Sequence, residues 1–567
     1  MLTAKGADFL EKRIITGYCL ILAGLGALLL ALYGIAAGKS GNFAAAAAQQ
    51  SSYLLEVGET RGLIYDRNLS PLVGTSSHTV LAVSPSAGAA AQLHDLLLPE
   101  FLQEEGALLR EGRPFLVDGQ ALTPETRATP VQALSSPDGS VLAFSLPERW
   151  APDQTALHLI GYTDAAGKGV CGIEKGYDDF LREQGGVVRV RYTVNALGSA
   201  LPESAPTVED TRGSARGGVV LTLDKELQKA AEEALEPIER GAAVVMDVAT
   251  GEILAMASVP CYDLADLSAA LESTDSPFLN RALCAYNLGS AFKIVTAAAA
   301  LEAGFSTAYT FNCPGWYELD GQIYRCHRLV GHGAVDMKKA LEQSCNPYFI
   351  NLGLQAGAQR LCGMAEAFGF GTAVRLAPGV LSASGSMPAA AEIGEGELAN
   401  LSFGQGRLTA TPVQAAQMIA IVAGGGKWVS PTLVRGVTYD GVTVSEQTVQ
   451  TPEKRVISEQ TARTLREMLI NAVEEGSGMA AKPAVGGAGG KTASAQTGSF
   501  DQNGEEIVHA WFAGFYPAED PRWAIVFFGE GSGSGGGAPA RAFKAFCDAA
   551  ARMGEDTASA PRISGPQ

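Results

Sequence analysis

Basic charge is scarce in this sequence of 567 residues. Lysine and arginine number 42 against 60 aspartates and glutamates, which gives a formal net charge of −18. A protein that binds nucleic acid neutralises phosphates with a basic face. The composition therefore argues against a nucleic-acid partner.

Metal-binding motifs and regular repeats are also missing. Nine cysteines and six histidines are present, yet none forms a C-x-x-C or H-E-x-x-H pattern. This argues against a zinc ribbon, a thioredoxin-type site and a metalloprotease, so we expect no metal and no other cofactor. The 67 glycines follow no three-residue period, which excludes collagen. Hydrophobic residues, at 47%, suffice for packed cores, and the length suggests about two to four domains.

One long apolar run lies near the amino terminus. Residues 14–37 are 24 consecutive uncharged residues, and as a helix they would extend about 36 Å, enough to cross a hydrocarbon core of about 30 Å. Lys5, Lys12 and Arg13 precede the run, which favours a cytoplasmic amino terminus and an extracytoplasmic remainder. The alternative is a signal peptide cleaved near residues 44–48, but the run exceeds the roughly 7–15 residues usual for such peptides.

The remaining chain changes character near residue 218. Before it, short strands and turns alternate without a dominant period; after it, strands at both ends of the segment enclose helices. This order predicts an α+β domain. The predicted organisation is a cytoplasmic tail (1–13), a transmembrane helix (14–37), a stalk and β-rich pedestal (38–217), the α+β domain (218–552) and a disordered tail (553–567). Predicted helices are 225–235, 281–302, 337–361, 411–422, 458–475 and 539–552, and predicted strands are 219–223, 242–248, 253–259, 491–496, 509–516 and 523–528.

A serine and a lysine stand three residues apart where a helix is predicted. Ser290 is the only serine with a lysine, Lys293, three positions later, and residues at this spacing share a helix face. A serine needs an adjacent base to become a nucleophile, and a lysine serves if burial or a nearby positive charge keeps it neutral. Taken alone, the pattern is more typical of a helix cap followed by a solvated lysine.

Two further short patterns follow along the chain. Ser344-Cys345-Asn346 lies in a helix-like stretch, and Lys491-Thr492-Ala493-Ser494 opens a β-like run. A strand edge offers backbone N–H groups, and a lysine with a threonine can bind a carboxylate. Each pattern alone is more typical of a cap, a turn or a strand end. The three in this order match the Ser-x-x-Lys, Ser-x-Asn and Lys-Thr-Gly set of penicillin-recognising serine enzymes.

On these motifs the sequence resembles the class B, monofunctional penicillin-binding proteins, which are peptidoglycan D,D-transpeptidases. The resemblance implies a transpeptidase domain with an antiparallel sheet sandwiched by helices, like the serine β-lactamases, above a membrane-proximal pedestal. It is weakest between about residues 75 and 155. Other segments that carry it are Arg61–Asn68, His158–Tyr162, Gly172–Glu174, Leu221–Gln228, Thr250–Met256, Gly404-Gln405-Gly406, Thr411-Pro412 and His509–Phe512.

The resemblance implies a role for each motif residue. Ser290 would attack the penultimate D-alanine carbonyl of a donor stem peptide, and Lys293 would accept its proton. Ser344 would relay a proton to the departing D-alanine, and Asn346 would hydrogen-bond the donor's backbone. β-Lactams would acylate the same serine.

The third motif would bind the substrate and the oxyanion. Lys491 and Thr492 would hold the terminal carboxylate, and the charge of Lys491 would help keep Lys293 neutral. The backbone N–H groups of Ser290 and Ser494 would form the oxyanion hole. Ala493 departs from the family, which has glycine there, and its methyl group could narrow the space beside the substrate.

Three cysteines outside the predicted membrane span need separate attention. Cys345 lies inside the Ser-x-Asn motif, and a disulfide from it to Cys313 or Cys326 could distort the site. Small buried thiols are the alternative, since cysteines are common in cores. His327 and His332 flank a glycine-containing turn and are interpreted as structural.

The implied partners are D-Ala–D-Ala stem peptides, β-lactams as inhibitors and a membrane glycosyltransferase of the elongation or division machinery.

Three rival functions are a β-lactam sensor, a D,D-carboxypeptidase or β-lactamase, and an inactive scaffold. A sensor would need a cytoplasmic output domain, and only 13 residues precede the apolar run. A hydrolase would need a water-activating group, and we expect no Glu-x-x-x-Asn segment of the β-lactamase kind between Ser344 and Lys491. The retained Ser290, Lys293 and Lys491 disfavour a scaffold. Elongation, division and spore cortex synthesis all use such enzymes, and the sequence favours none of them.

Overall fold

The amino-terminal apolar run is helical. The computed structural model describes residues 4–38, 51–151, 153–201, 204–212, 216–448 and 453–559. The first helix, Ala4–Tyr33, ends in a π-helical turn, Gly34–Gly38. Its segment Glu11–Ala36 is long and apolar enough to cross a membrane, and no second helix of that kind occurs among the residues described. The predicted stalk lies outside the described residues from position 39 to 50.

The chain forms two units. The first comprises Met1–Thr60, Ser77–Pro147 and Gly186–Gly213, and the second comprises Arg61–Ser76, Glu148–Gly185 and Ser214–Gln567. The segment predicted as a pedestal, 38–217, is thus shared between both units.

Two three-stranded sheets organise the first unit. In the strand Ser76–Val83, Leu81 and Val83 belong to one buried cluster, whereas Val80 and Ala82 belong to another. This alternation is the period of a strand that is buried on both faces. The strands, in sheet order, are Ser52–Glu59, Val187–Thr193 and Thr207–Asp210, and Phe115–Asp118, Ser76–Val83 and Val141–Glu148. The α-helices are Ala87–Leu96, Leu102–Glu111 and Pro124–Arg127.

A five-stranded antiparallel sheet, the central sheet, organises the second unit. Its strands, in spatial order, are Ile253–Val259, Gly241–Asp247, Trp523–Gly529, Glu506–Tyr516 and Gly489–Phe500. An early hairpin therefore pairs with the three last strands. The predicted α+β class is confirmed.

Both faces of the central sheet are covered by helices. Val244 packs in the cluster that contains the helix Pro412–Ala423, whereas its neighbour Val245 packs with Lys225–Leu235 and Ala538–Ser559. Consecutive side chains of a strand point to opposite faces, so this apolar run requires a cover on each side.

Strand pairing and charged hydrogen bonds attach residues 61–76 to the rest of the second unit. The strand Leu63–Tyr65 pairs in parallel with Gly218–Leu221. Arg61 donates to the carboxylate of Glu174 at 2.7 Å and Arg149 donates to it at 2.8 Å. Glu174 is fully buried, so these two bonds compensate the loss of its hydration.

The second unit contains further helices and strands. Its other α-helices are Leu157–Ile160, Gly172–Gly176, Asp178–Glu183, Leu267–Glu272, Lys293–Glu302, Met337–Glu342, Asn346–Ala356, Ala358–Ala367, Glu395–Ser402 and Glu459–Glu474. Its other strands are Tyr286–Asn287, Phe311–Cys313, Trp316–Leu319, Gln322–Arg325, Gly333–Val335, Arg375–Ala377, Val380–Leu381, Thr409–Ala410, Lys427–Trp428, Val434–Thr438 and Lys454–Arg455.

Several predicted helices are confirmed and others are wrong. The helix at 225–235 occurs as predicted. The segment 281–302 instead contains a 3-10 turn, a two-residue strand, a second 3-10 turn and only then a helix. The predicted helix 337–361 is interrupted at Ser344 and Gly357, whose φ angles are +55° and +86°. The last helix continues to Ser559, and residues 560–567 of the predicted disordered tail lie outside the described part.

Candidate active site

Ser290 lies on a 3-10 turn, Gly289–Phe292, that leads directly into the helix Lys293–Glu302. Gly289 has a φ angle of +64°, and a Cβ atom there would lie 3.1 Å from the Ser494 carbonyl oxygen. The Gly289 N–H donates to the Gly404 carbonyl at 3.0 Å, and a Cβ on Gly404 would overlap the Gly289 carbonyl. Glycine is therefore needed on both sides of this contact, which places the Gly404-Gln405-Gly406 motif behind the turn that carries Ser290.

Lys293 is fully buried and bonds to the second motif. Its Nζ lies 2.7 Å from the Ser344 carbonyl oxygen, 3.1 Å from Ser344 Oγ and 2.7 Å from Asn346 Oδ1. Burial disfavours the ammonium form and lowers the pKa of Lys293 to about 7. A substantial fraction of this amine is therefore neutral near neutral pH and able to accept a proton.

The predicted effect of Lys491 on the charge of Lys293 stays a prediction. Burial is the largest cause that lowers the pKa of Lys293, and the nearby thiols of Cys345 and Cys326 oppose it. The pKa of Lys491 is also lowered. Burial is the larger cause, and the positive charge of Lys293 is the smaller one. Two ammonium groups in one dry site are unfavourable, so the pair favours a single positive charge.

Ser344 and Asn346 are held in an unusual backbone geometry. Ser344 has a φ angle of +55°, a left-handed conformation that costs about 1–3 kcal/mol for a residue other than glycine. Asn346 begins the helix Asn346–Ala356, and its Nδ2 donates to the Arg325 carbonyl at 3.1 Å. Both ends of its amide are thus bonded within the protein, whereas the resemblance assigned this side chain to the substrate's backbone.

The third motif lies on the edge strand of the central sheet, Gly489–Phe500. Lys491 is fully buried and its Nζ donates to the Thr492 carbonyl at 2.9 Å. The Thr492 hydroxyl donates to Ser477 Oγ at 3.1 Å, and Ser494 Oγ accepts from the Gly535 N–H at 3.2 Å. An edge strand leaves one row of backbone groups unpaired, so an extended peptide can add to it.

One cleft of about 680 Å³ brings the three motifs together. Among its lining residues are five of the predicted site residues, namely Ser290, Ser344, Asn346, Thr492 and Ser494. The two predicted lysines do not line it, because both are buried. The other lining residues are Gln322, Tyr324, Arg325, His327, Asn400, Phe403, Gln405, Ser477, Gln496, Val508 and Ser534.

Sequence reasoning missed most of this second group. Gln405 stands inside the glycine motif, and Gln496 follows Ser494 by two positions on the same strand, so both carried a usable signal. Ser477 and Asn400 stand in no motif. His327, interpreted as structural, lines the cleft.

The methyl group of Ala493 does not lie on the substrate side. Ala493 is 2% exposed and belongs to the buried cluster that also holds Trp511 and Ala513. It is not among the residues that line the cleft. The expected narrowing beside the substrate is therefore not found.

A Glu-x-x-x-Asn spacing does occur between Ser344 and Lys491, contrary to expectation. It joins Glu467 to Asn471 on the helix Glu459–Glu474. Glu467 is exposed and does not line the cleft, so it cannot activate water at Ser290.

The three cysteines agree with the alternative of small buried thiols, and they lie in one group with His332. Cys313, Cys326 and Cys345 are buried free thiols. Their sulfur atoms and a ring nitrogen of His332 all lie within 4.8 Å of one another. No pairwise spacing in the sequence indicated this group.

A serine, other hydroxyl groups and an edge strand line one cleft, and a buried amine bonds to residues of its lining. These are the groups needed for acyl transfer through a serine ester. A family model, the penicillin binding protein transpeptidase domain, matches residues 241–548. The chain belongs to this family. The predicted family of class B penicillin-binding proteins is confirmed, and the matched domain is of the predicted transpeptidase type.

Curated relatives of this transpeptidase family member are 28–32% identical to it over the segments that align. Stage V sporulation protein D of Bacillus subtilis (strain 168) is 32% identical over 65% of the chain, which spans only 57% of that relative's length. The peptidoglycan D,D-transpeptidase PbpA of Mycolicibacterium smegmatis is 32% identical over 58% of the chain and 69% of its own length. The peptidoglycan D,D-transpeptidase MrdA of Escherichia coli K12 is 28% identical over 77% of the chain and 76% of its own length.

Solved structures are similar to this penicillin-binding protein over most of its length. One chain of a peptidoglycan synthase complex that coordinates polymerization and crosslinking matches 95% of it, with a TM-score of 0.67, 27% identity and 98% coverage of that chain. The ceftriaxone acyl-enzyme complex of Mycobacterium tuberculosis penicillin-binding protein A matches 60% of it, with a TM-score of 0.55, 29% identity and 81% coverage of that chain.

Proposed function

We propose that this penicillin-binding protein is a peptidoglycan D,D-transpeptidase that cross-links stem peptides through an acyl-enzyme on Ser290 and is acylated by β-lactams at the same residue. The observation that carries the proposal is the buried amine of Lys293, which is bonded to Ser344 and Asn346 beside the cleft that Ser290 lines. The relatives named as D,D-transpeptidases and the acyl-enzyme complexes of a structural neighbour support it.

In the proposed acylation, each of these groups has one role. Ser290 Oγ attacks the penultimate D-alanine carbonyl and transfers its proton to the neutral Lys293 amine. The C–O ester bond forms and the C–N bond to the terminal D-alanine breaks, with the proton passing through Ser344 to the departing amine. The N–H groups of Ser290 and Ser494 stabilise the negative oxygen that develops between these events.

Binding and transfer use the edge strand. The donor peptide lies along Gly489–Phe500, with its terminal carboxylate beside Thr492 and Ser477, above the buried Lys491. The amine of a second stem peptide then attacks the ester. A new C–N bond replaces the ester C–O bond, and the amine proton returns to Ser290 through Lys293.

The proposed setting is the outer side of a membrane. The segment Glu11–Ala36 serves as a single-pass anchor with the amino terminus in the cytoplasm, because Lys5, Lys12 and Arg13 precede its apolar part. The similarity to a chain of a peptidoglycan synthase complex supports a membrane glycosyltransferase as the partner that makes the glycan strands.

Incubation of the full chain with a donor stem peptide and an acceptor amine tests the activity. Mass spectrometry of the products is expected to find the cross-linked dimer and free D-alanine, and Ser290→Ala is expected to form neither. The matched control is Ser384→Ala, which alters an exposed serine that does not line the cleft and is expected to keep the activity.

Two outcomes would contradict the proposal. Release of D-alanine without the dimer at saturating acceptor would identify a D,D-carboxypeptidase. Dimer formation by Ser290→Ala would show that another group is the nucleophile.

A further inference from the structure

Three cysteines and a histidine form a group next to the Ser-x-Asn motif, which we call the thiol cluster: Cys313, Cys326, His332 and Cys345. Their four side-chain donor atoms all lie within 4.8 Å of one another. Cys326 Sγ lies 3.5 Å from His332 Nδ1. The three cysteines are buried and the histidine is half-buried, so the group is largely shielded from solvent.

The local backbone builds this group from separate segments. Cys313 pairs with Gly333 across two short strands, which brings the preceding His332 to Cys313. Gly331 has a φ angle of +82°, and a Cβ there would overlap the Cys313 carbonyl. The Cys326 N–H donates to the Gly315 carbonyl at 2.9 Å. These bonds preset the positions of the ligands, because they fix the backbone without using the side chains.

The donor set and its size fit one metal ion. Three thiolates and an imidazole are a known ligand combination of tetrahedral structural zinc, with Zn–S distances of about 2.3 Å. Tetrahedral geometry then separates two sulfur atoms by about 3.8 Å. The atoms of the thiol cluster need to contract by only about 1 Å to reach that separation. A disulfide would use two of the three thiols and leave the third thiol and the imidazole without a role.

We propose that the thiol cluster binds one zinc ion through Cys313, Cys326, Cys345 and His332. Each of the three thiols releases its proton on binding, and the imidazole coordinates in its neutral form. The site is distinct from Ser290 and takes no part in the bonds that form or break there.

The ion also holds the Ser-x-Asn motif in place. Cys345 lies between Ser344 and Asn346, and both of these bond to Lys293. Cys326 directly follows the strand Gln322–Arg325, and the Arg325 carbonyl accepts from Asn346 Nδ2. A metal bound to Cys326 and Cys345 therefore links both sides of this hydrogen bond and supports the strained φ angle of Ser344. The metal site stands without the proposed transpeptidation, whereas its effect on Ser290 rests on that function.

Metal analysis of the full chain, purified in detergent and exposed to Zn(II), tests the site. Wild type is expected to hold about one zinc ion per chain. Cys326→Ser and His332→Ala are expected to lose it, and Cys362→Ser, which alters a buried cysteine outside the thiol cluster, is expected to retain it. Replacement by Co(II) is expected to give the absorption bands of a tetrahedral cobalt thiolate in wild type and Cys362→Ser only.

A variant that misfolds would also lose zinc, so a second test uses wild type alone. Wild type is stripped with a chelator, checked by circular dichroism and titrated with Zn(II). Binding of one equivalent that protects three thiols from alkylation is expected. A wild-type chain that takes up no zinc, zinc retained by both Cys326→Ser and His332→Ala, or a Cys326–Cys345 disulfide in the purified chain would overturn the proposal.

The rate of penicillin acylation tests the positioning role of the zinc ion separately from the proposed function. Removal of zinc from wild type is expected to slow acylation of Ser290 by about tenfold or more, as loss of an outer positioning contact does, and Zn(II) is expected to restore it. A stoichiometric zinc whose removal leaves the rate unchanged would overturn the positioning role alone. A zinc-loaded wild type that no β-lactam acylates would contradict the proposed function and leave the metal site standing.

Discussion

The chemistry of Lys293 depends on where its amine lies. The side chain is fully buried among the groups of the Ser-x-Asn motif, and burial lowers its pKa to about 7. A protonated amine cannot accept the proton of Ser290, so the proposed acylation requires the neutral form of Lys293. The other titratable groups near it are Lys491, Cys326 and Cys345.

This gives a prediction for the dependence on pH. The second-order rate constant for penicillin acylation is expected to be constant above about pH 8 and to fall about tenfold per pH unit below about pH 6. Stopped-flow measurement with a fluorescent penicillin provides the profile. His327→Gln serves as the control, because His327 also lines the cleft, and it should leave the inflection near pH 7 in place. A rate that is the same at pH 5.5 and pH 8 would exclude Lys293 as the base.

Ala493 provides a second prediction at the scale of one side chain. Its methyl group lies in the buried cluster with Trp511 and Ala513 and away from the cleft. Ala493→Gly is therefore expected to change the acylation rate by less than about tenfold, which is about 1.4 kcal/mol, and to lower stability by about 0.5–1 kcal/mol. Acylation kinetics and thermal unfolding of the two chains check this. A larger loss of acylation with unchanged unfolding would show that the position controls the cleft.

The turn that carries Ser290 depends on its contact with the Gly404 loop. Gly404→Ala places a Cβ against the Gly289 carbonyl, so the turn must shift. We expect the acylation rate to fall by more than about tenfold, since small displacements of a nucleophile have large effects on rate.

A matched variant separates this displacement from backbone strain. Gly304 has a φ angle of +86°, close to the +84° of Gly404, and a Cβ there meets no atom within 4 Å. Gly304→Ala should therefore show similar strain, measured by thermal unfolding, but retain wild-type acylation. Equal losses of acylation in the two variants would show that the contact with Gly289 does not matter.

Positive φ angles explain which elements could be predicted from the sequence. Helix Lys225–Leu235 has a capping aspartate and a clear apolar face, so its bounds followed from the pattern. The apolar patterns at 281–302 and 337–361 continue through Gly289 and Ser344, and only the folded backbone shows that the chain turns there. Both interruptions of the helical pattern contain residues that line the cleft. There the geometry of the site overrides the local preference for helix.

At the scale of the whole molecule, the three motifs could be predicted to lie in one domain because they match the motif set of penicillin-recognising serine enzymes. The thiol cluster could not be predicted in this way, since its members come from separate segments with no metal-binding spacing. The division of the early chain between two units was also hidden, because strand Leu63–Tyr65 pairs with residues more than 150 positions away.

The proposed topology can be tested on cells. Protease added to intact spheroplasts is expected to digest the second unit, because the proposed topology has the amino terminus in the cytoplasm and the rest of the chain outside. Mass spectrometry of the mature chain in the membrane fraction should detect residues 14–37. A second unit protected until the membrane is permeabilised would reverse the orientation, and a mature chain that begins near residues 44–48 would identify a cleaved signal peptide.

The most direct test of the active site is to locate the adduct of a β-lactam by peptide mass spectrometry after the full chain reacts with penicillin. The account predicts one adduct per chain, on the peptide that contains Ser290 and at that hydroxyl, and no adduct in Ser290→Ala. An adduct on another residue, or labelling of Ser290→Ala at the wild-type rate, would contradict it.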